Sequence, residues 1–174
     1  MANLAFTKLG LKKNQEIKTI EYNEQTIEVK QYLPINDKLD LIGQALTYSQ
    51  DENNFANPVK LEIFTKLFII KFYTNITFTE KQWEDTPKLY DLFVANGLME
   101  QILNTIPNEE YVAVIDAAEA CANAVYTYRN SVMGVLHSIS NDYDELNLDA
   151  ESLSAKLIDP ENMTLLKDVL TKLG

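Results

Sequence analysis

The chain has 174 residues, of which 46% are hydrophobic and 24% are charged, a composition typical of a folded domain with a buried core. Its 26 acidic and 15 basic side chains give a net charge of −11, which disfavours binding to nucleic-acid phosphates. The single cysteine excludes a disulfide within the chain and a thiolate metal cage. We predict one domain over residues 1–174, with an arm and a hairpin in residues 1–34 and a helical body in residues 35–174.

The N-terminal region lacks the features of an exported protein. It has no basic segment followed by an apolar run, so no secretory signal is visible. The most apolar stretch, residues 67–73, contains Lys71 and is too short to span a bilayer. We therefore expect a cytoplasmic protein with no membrane partner.

Residues 1–14 predict an apolar arm that docks on the body of the protein or on a neighbour. From residue 16 the apolar residues recur with a period of two, as where Ile27 and Val29 alternate with charged residues. With polar turn residues at 23–25, this pattern predicts a β-hairpin at about residues 16–32. An isolated hairpin is marginal in water, so it must pack on helices or pair with another strand. Ile27 and Val29 are therefore candidate partner-contact residues.

Sequence signals for the starts and ends of helices recur between about residue 36 and residue 106. The Asn-Pro pair at residues 57–58 opens a helix that is apolar nearly all round, which we expect to be buried. Residues 79–82 have the spacing of a capping box, and the Asn-Gly pair at residues 96–97 is a left-handed helix stop. These signals predict short helices in this region.

A long helix is predicted at about residues 107–140. Pro107 suits its first turn, and two apolar edges run along it, which is typical of a helix at the centre of a bundle. The predicted fold class is therefore mainly α, a multi-helix bundle around this helix with the small N-terminal β-hairpin. The main edge has heptad-like spacing and consists of Val114, Ala118, Cys121, Val125, Tyr128, Val132, Val135 and Ile139.

Beyond the long helix, residues 141–147 are acidic and polar and predict a loop. A short helix is expected from Asp149, and a final amphipathic helix after Pro160. With these elements the chain has six to eight predicted helices.

No residue pattern in the sequence predicts catalysis, a cofactor or a metal site. His137 is the only histidine, and on one continuous helix it would lie roughly 24 Å from Cys121 along the axis. The acidic residues from Asp142 onward fail the spacing of a calcium loop. No glycine-rich phosphate loop is present. We predict a protein that is not an enzyme and has no small-molecule substrate.

Three residues of the long helix are candidate partner contacts. Tyr126, Tyr128 and Arg129 lie close together, and Tyr and Arg are favoured at the centres of protein interfaces. Core packing is the alternative explanation for the aromatic pair. A track of small residues on the same helix would admit a neighbouring helix, either within the chain or from another subunit, and consists of Ala113, Ala117, Ala120 and Ala124.

Three segments carry a resemblance to a known group of proteins. They are MANLAFTKLGL at residues 1–11, TIEVKQYLPI at residues 26–35 and LLKDVLTKLG at residues 165–174. Together with the size, acidity and helical layout of the chain, they resemble small proteins encoded among the tail genes of long-tailed phages of Gram-positive bacteria. The nearest functional type is the tail assembly chaperone.

The resemblance implies a non-enzymatic protein in the cytoplasm of the infected bacterial host. Such chaperones coat the helical tape-measure protein and help to recruit tail-tube subunits, and a homo-oligomer fits this role. Two alternatives stay open. The protein could remain in the virion as a structural component, or its acidic surface could imitate nucleic acid and so inhibit or trigger a host defence system.

Overall fold

The computed structural model of the protein describes residues 3–12, 14–52 and 54–137. The chain divides into two units, residues 1–126 and residues 127–174, and each is described by itself. The single domain stays a prediction, and the elements predicted beyond residue 140 lie outside the described residues. The observed elements are β1 (Ile17–Tyr22), β2 (Gln25–Lys30), α1 (Ile35–Ser49), α2 (Pro58–Tyr73), α3 (Glu80–Glu84), α4 (Thr86–Ala95), α5 (Leu98–Thr105) and α6 (Asn108–Arg129).

The predicted fold class is confirmed, since helices dominate and one small antiparallel hairpin lies near the N-terminus. In the hairpin, Ile20 pairs with Ile27 and Tyr22 with Gln25. Asn23 and Glu24 form the two-residue turn with φ of 48° and 63°. Positive φ at both positions matches the right-handed twist of the strands. Asn23 adopts this conformation readily, whereas Glu24 is there against its ordinary preference.

The hairpin packs on the end of α2, which corrects the role predicted for two of its residues. Ile27 is 6% exposed and Val29 is fully buried. Val29 forms an antiparallel bridge with Thr74, and the Glu28 N–H donates to the Asn75 side-chain oxygen at 3.1 Å. The apolar face of β2 is therefore covered by the chain's own helices. The assignment of Ile27 and Val29 as partner-contact residues is wrong, because neither is accessible.

Helix α2 is the buried helix of the first unit. The Asn57 side chain caps it by accepting from the Val59 and Lys60 N–H groups at 3.0 and 3.1 Å. Helix α1 packs along it. Leu67 and Ile70 belong to a core shared with α4 and α5, whereas the rest of its buried apolar residues join a core shared with β2, α1 and α6. The buried residues of α2 are Leu61, Thr65, Leu67, Phe68, Ile69, Ile70 and Tyr73.

Helix α6 is shorter and more exposed than the sequence predicts. It ends at Arg129, and only Val114 and Ala118 are buried among its residues. Residues 132–137 are helical again. Ser131 begins this second segment, because its Oγ accepts from the Gly134 N–H at 3.1 Å. Short polar side chains such as those at residues 130–131 bond to nearby backbone and so favour helix ends over helix interiors.

Candidate functional site

A groove of about 790 Å³ lies between α2 and α6 in the first unit. Its walls come from the N-terminal half of α2, from the loop that precedes α2 and from one face of α6. The volume is in the range of ligand-binding clefts, but the groove is open along its length and not an enclosed cavity. Its lining includes Phe55, Pro58, Val59, Leu61, Glu62, Thr65, Lys66, Tyr111, Ile115, Ala118, Glu119, Ala122, Asn123 and Tyr126.

Small residues of α6 form part of the groove wall. Ala118 and Ala122 are one helical turn apart and both line the groove, Ala118 buried and Ala122 half-buried. At one end, the rings of Phe55 and Tyr126 lie 5.5 Å apart, centroid to centroid. Most of the remaining wall is apolar. The groove can therefore accept an apolar segment without burying an unpaired charge.

Thr65 is the most unusual residue of the groove. It lies in the middle of α2, is 1% exposed, and its Oγ1 has no hydrogen-bond partner within the described part of the chain. A helical threonine can usually donate to the carbonyl one turn earlier, as Thr47 does to Gly43 at 2.9 Å. An unsatisfied buried hydroxyl costs about 1–3 kcal/mol. Because Oγ1 is itself buried, the missing hydrogen bond is a cost to the fold and not a contact point in the groove.

The charged side chains of the groove lie at its edge. Lys66 and Glu62 form an ion pair of 2.6 Å on successive turns of α2. Burial lowers the pKa of Lys66, but the hydrogen bond to Glu62 and the charges of Tyr90, Glu62 and Tyr111 together outweigh it, so the pKa lies above its ordinary value. Glu119 is exposed on α6. No histidine or cysteine is among the residues that line the groove in the described structure. The charged groups therefore border an apolar interior, an arrangement that suits binding of an apolar partner.

A second, smaller groove of about 460 Å³ lies beside the first, between α4, α5 and the start of α6. Lys66 and Tyr111 line both grooves. The smaller one has a more polar lining, so the α2–α6 groove is the stronger candidate for binding an apolar partner.

The structure brings one of the five predicted contact residues to the groove. Tyr126 is exposed and lines its end. Tyr128 and Arg129 belong to the second unit, where the Tyr128 hydroxyl is hydrogen-bonded to Nδ1 of His137. Ile27 and Val29 are buried in the core. Thr65 was not predicted as a residue of interest. The alanines that line the groove, Ala118 and Ala122, are not those of the predicted small-residue track.

The described residues bear on two other functions, metal binding and membrane insertion. No group of three or more His, Cys, Asp or Glu side chains there is arranged to hold a metal ion. In the same residues, no helix combines the length and the apolar character needed to cross a membrane.

The chain matches no known protein family, no curated protein and no solved structure. The resemblance to tail assembly chaperones therefore stays a prediction.

Proposed function

We propose that this protein is a non-enzymatic assembly protein of the tail assembly chaperone type, which holds an apolar segment of a partner protein in the α2–α6 groove. The observation that carries the proposal is the groove itself, an open and mainly apolar channel between two helices. Grooves between helices recognise amphipathic helices through apolar residues one turn apart.

The length of the groove favours a helical segment. Its lining on α6 runs from Tyr111 to Tyr126, which at 1.5 Å per residue corresponds to roughly 22 Å, or about four turns of a partner helix. The tape-measure protein, which is long and helical in the phages that the sequence resembles, is the partner we propose first. A tail-tube subunit is the second candidate.

Binding of purified tape-measure fragments, measured by isothermal titration calorimetry, tests the proposal. Ala122 is half-buried in the groove, whereas Ala120 is an exposed alanine of the same helix outside it. Ala122→Phe should fill the groove and weaken binding at least tenfold, and Ala120→Phe should leave it unchanged. Fragments covering the whole tape-measure and tail-tube proteins that all fail to bind would contradict the proposal.

A second function is favoured by the net charge of −11, namely an acidic protein that binds a basic surface of a host defence system. Binding of that kind weakens steeply with salt. A permanent role in the virion is a further alternative, and mass spectrometry of purified particles separates it from a chaperone, which should be lost on maturation.

A further inference from the structure

We propose that the N-terminal arm of one copy of this protein, residues 3–12, docks in the α2–α6 groove of a second copy. This inference rests on the proposed function, because it assigns a partner to the same protein-binding groove.

The arm is an apolar segment that none of the described residues of its own chain covers. All of its residues are exposed, including four large apolar side chains with exposed fractions between 49% and 74%. Phe6–Leu9 form a short 3-10 turn, which ends at Gly10 with φ of 61°. Four large apolar side chains this close together mark an interaction site and not a solvated surface. They are Leu4, Phe6, Leu9 and Leu11.

The charge of the arm is opposite to that of the rest of the chain. Its lysines are Lys8 and Lys12, Lys13 follows directly, and the first acidic residue of the sequence is Glu16. The whole chain nevertheless carries −11 and these three lysines contribute +3, so the remaining residues together carry −14, with the acidic excess of the groove on α6 and not on α2. Glu119, exposed beside the groove, adds to this field. A second copy therefore attracts the arm, since opposite charges increase the rate and the specificity of association.

The groove supplies what a docked arm requires. Its apolar walls between α2 and α6 match the four apolar side chains of the arm. A peptide segment that leaves water must also pair its backbone N–H and C=O groups. Glu119 and Asn123, which are exposed polar side chains of the groove lining, can pair with such groups. The groove and the arm are thus complementary in polarity, and the positive charge of the arm is opposite to that of Glu119 at the edge of the groove.

Light scattering of the full chain, measured over a range of concentrations, tests the proposal through the mass in solution. The wild-type chain of 19.8 kDa should have the mass of two copies or more. The double variant Phe6→Ser, Leu9→Ser and the groove variant Ala122→Phe should each have the mass of one copy. Two controls should keep the wild-type mass: Leu92→Ser, which changes an equally exposed leucine of α4, and Ala120→Phe.

Mixing the two monomeric variants separates exchange between copies from docking within one copy. The groove variant retains an intact arm and the arm variant retains an intact groove, so an equimolar mixture should form a mixed dimer. A monomeric wild-type chain, an arm variant that still associates, or a mixture that stays monomeric would each overturn the proposal. Because no arm side chain is buried, circular dichroism of the arm variant should match that of the wild type.

The two proposals fail in distinguishable ways. The arm variant should bind tape-measure fragments more tightly than the wild type does, because the competing arm has been removed. If the arm variant still self-associates while Ala122→Phe loses fragment binding, only the docking of the arm is wrong. If arm exchange is observed and no tail-protein fragment binds the arm variant, only the tail-assembly function is wrong.

Discussion

Glu110 connects four parts of the first unit through one carboxylate oxygen. Its Oε1 accepts from the Leu33 N–H at 2.9 Å and from the Tyr73 hydroxyl at 3.1 Å, and it pairs with Lys38 Nζ at 2.8 Å. Burial raises the pKa of Glu110, but the hydrogen bonds from Lys38, Leu33 and Tyr73 outweigh it and hold that pKa below its ordinary value. Burial, together with Glu110 itself, raises the pKa of Tyr73.

Glu110→Gln should therefore lower the free energy of unfolding at pH 7 by about 1.5–3 kcal/mol, the usual contribution of hydrogen bonds to a charged group. Because the folded-state pKa is depressed, the contribution is present above the ordinary value of 4.5 and is lost as the pH falls through the folded-state pKa. Urea unfolding at pH 7 and at pH 3 should show a difference between wild type and variant that shrinks in acid. Glu109→Gln, at the exposed neighbouring position, is the control.

The hydroxyl of Thr65 gives a second prediction at the scale of one residue. Thr65→Val keeps the shape of the side chain and removes a buried group that has no partner among the described residues. It should raise the free energy of unfolding by about 1 kcal/mol, measured by urea unfolding of dilute protein. Thr47→Val is the matched control, since the Thr47 hydroxyl is bonded to Gly43 and its loss should not stabilise. A destabilised Thr65→Val protein would show that the hydroxyl is satisfied.

At the scale of elements, local chemistry predicted where helices begin better than it predicted which helix faces are buried. The cap at Asn57 forms as expected, and so does the reciprocal half of the capping box, in which Gln82 Oε1 accepts from the Thr79 N–H at 2.8 Å. These signals depend only on neighbouring residues. The heptad spacing of α6 predicted a central helix, yet Val125 and Tyr128 are exposed. Spacing places residues on one side of a helix, but it does not say whether another element covers that side.

Gly134 gives a prediction about the element that follows α6. A Cβ at this position would collide with the backbone of Tyr128 and Arg129, where the chain turns back on itself. Gly134→Ala should therefore destabilise the segment 132–137, although alanine in a helix is ordinarily favoured over glycine by about 1 kcal/mol. Hydrogen exchange of the amides of residues 132–137 should become faster in the variant.

Gly43→Ala is the control for this prediction. Gly43 lies inside α1, where an added Cβ meets nothing within 4 Å, so the substitution should raise the thermal unfolding temperature. If Gly134→Ala instead slowed the exchange of residues 132–137, this would contradict the close approach of Gly134 to the backbone of Tyr128 and Arg129.

At the scale of the whole molecule, composition indicated the acidity and the helical class but not the groove. The groove lies between α2 and α6, and the separation of two helices depends on how both are held by the rest of the core. The missing hydrogen bond of Thr65 could not be predicted, since a threonine in an apolar helix looks the same in sequence whether or not its hydroxyl is paired. The arm was predicted, because Phe6, Leu9 and Leu11 make residues 1–14 apolar and Gly10 interrupts them.

The salt and temperature dependence of binding separates the two candidate functions of the whole protein. A partner held in the apolar α2–α6 groove buries apolar surface, so binding of a tape-measure fragment should have a negative heat-capacity change. Its affinity should change by less than about tenfold between 50 and 500 mM salt, because screening acts mainly on exposed charges. Calorimetry at several temperatures and salt concentrations measures both quantities. A different result would favour the acidic surface as the functional one. The affinity would then fall steeply with added salt, and Ala122→Phe would bind the partner as tightly as the wild type does.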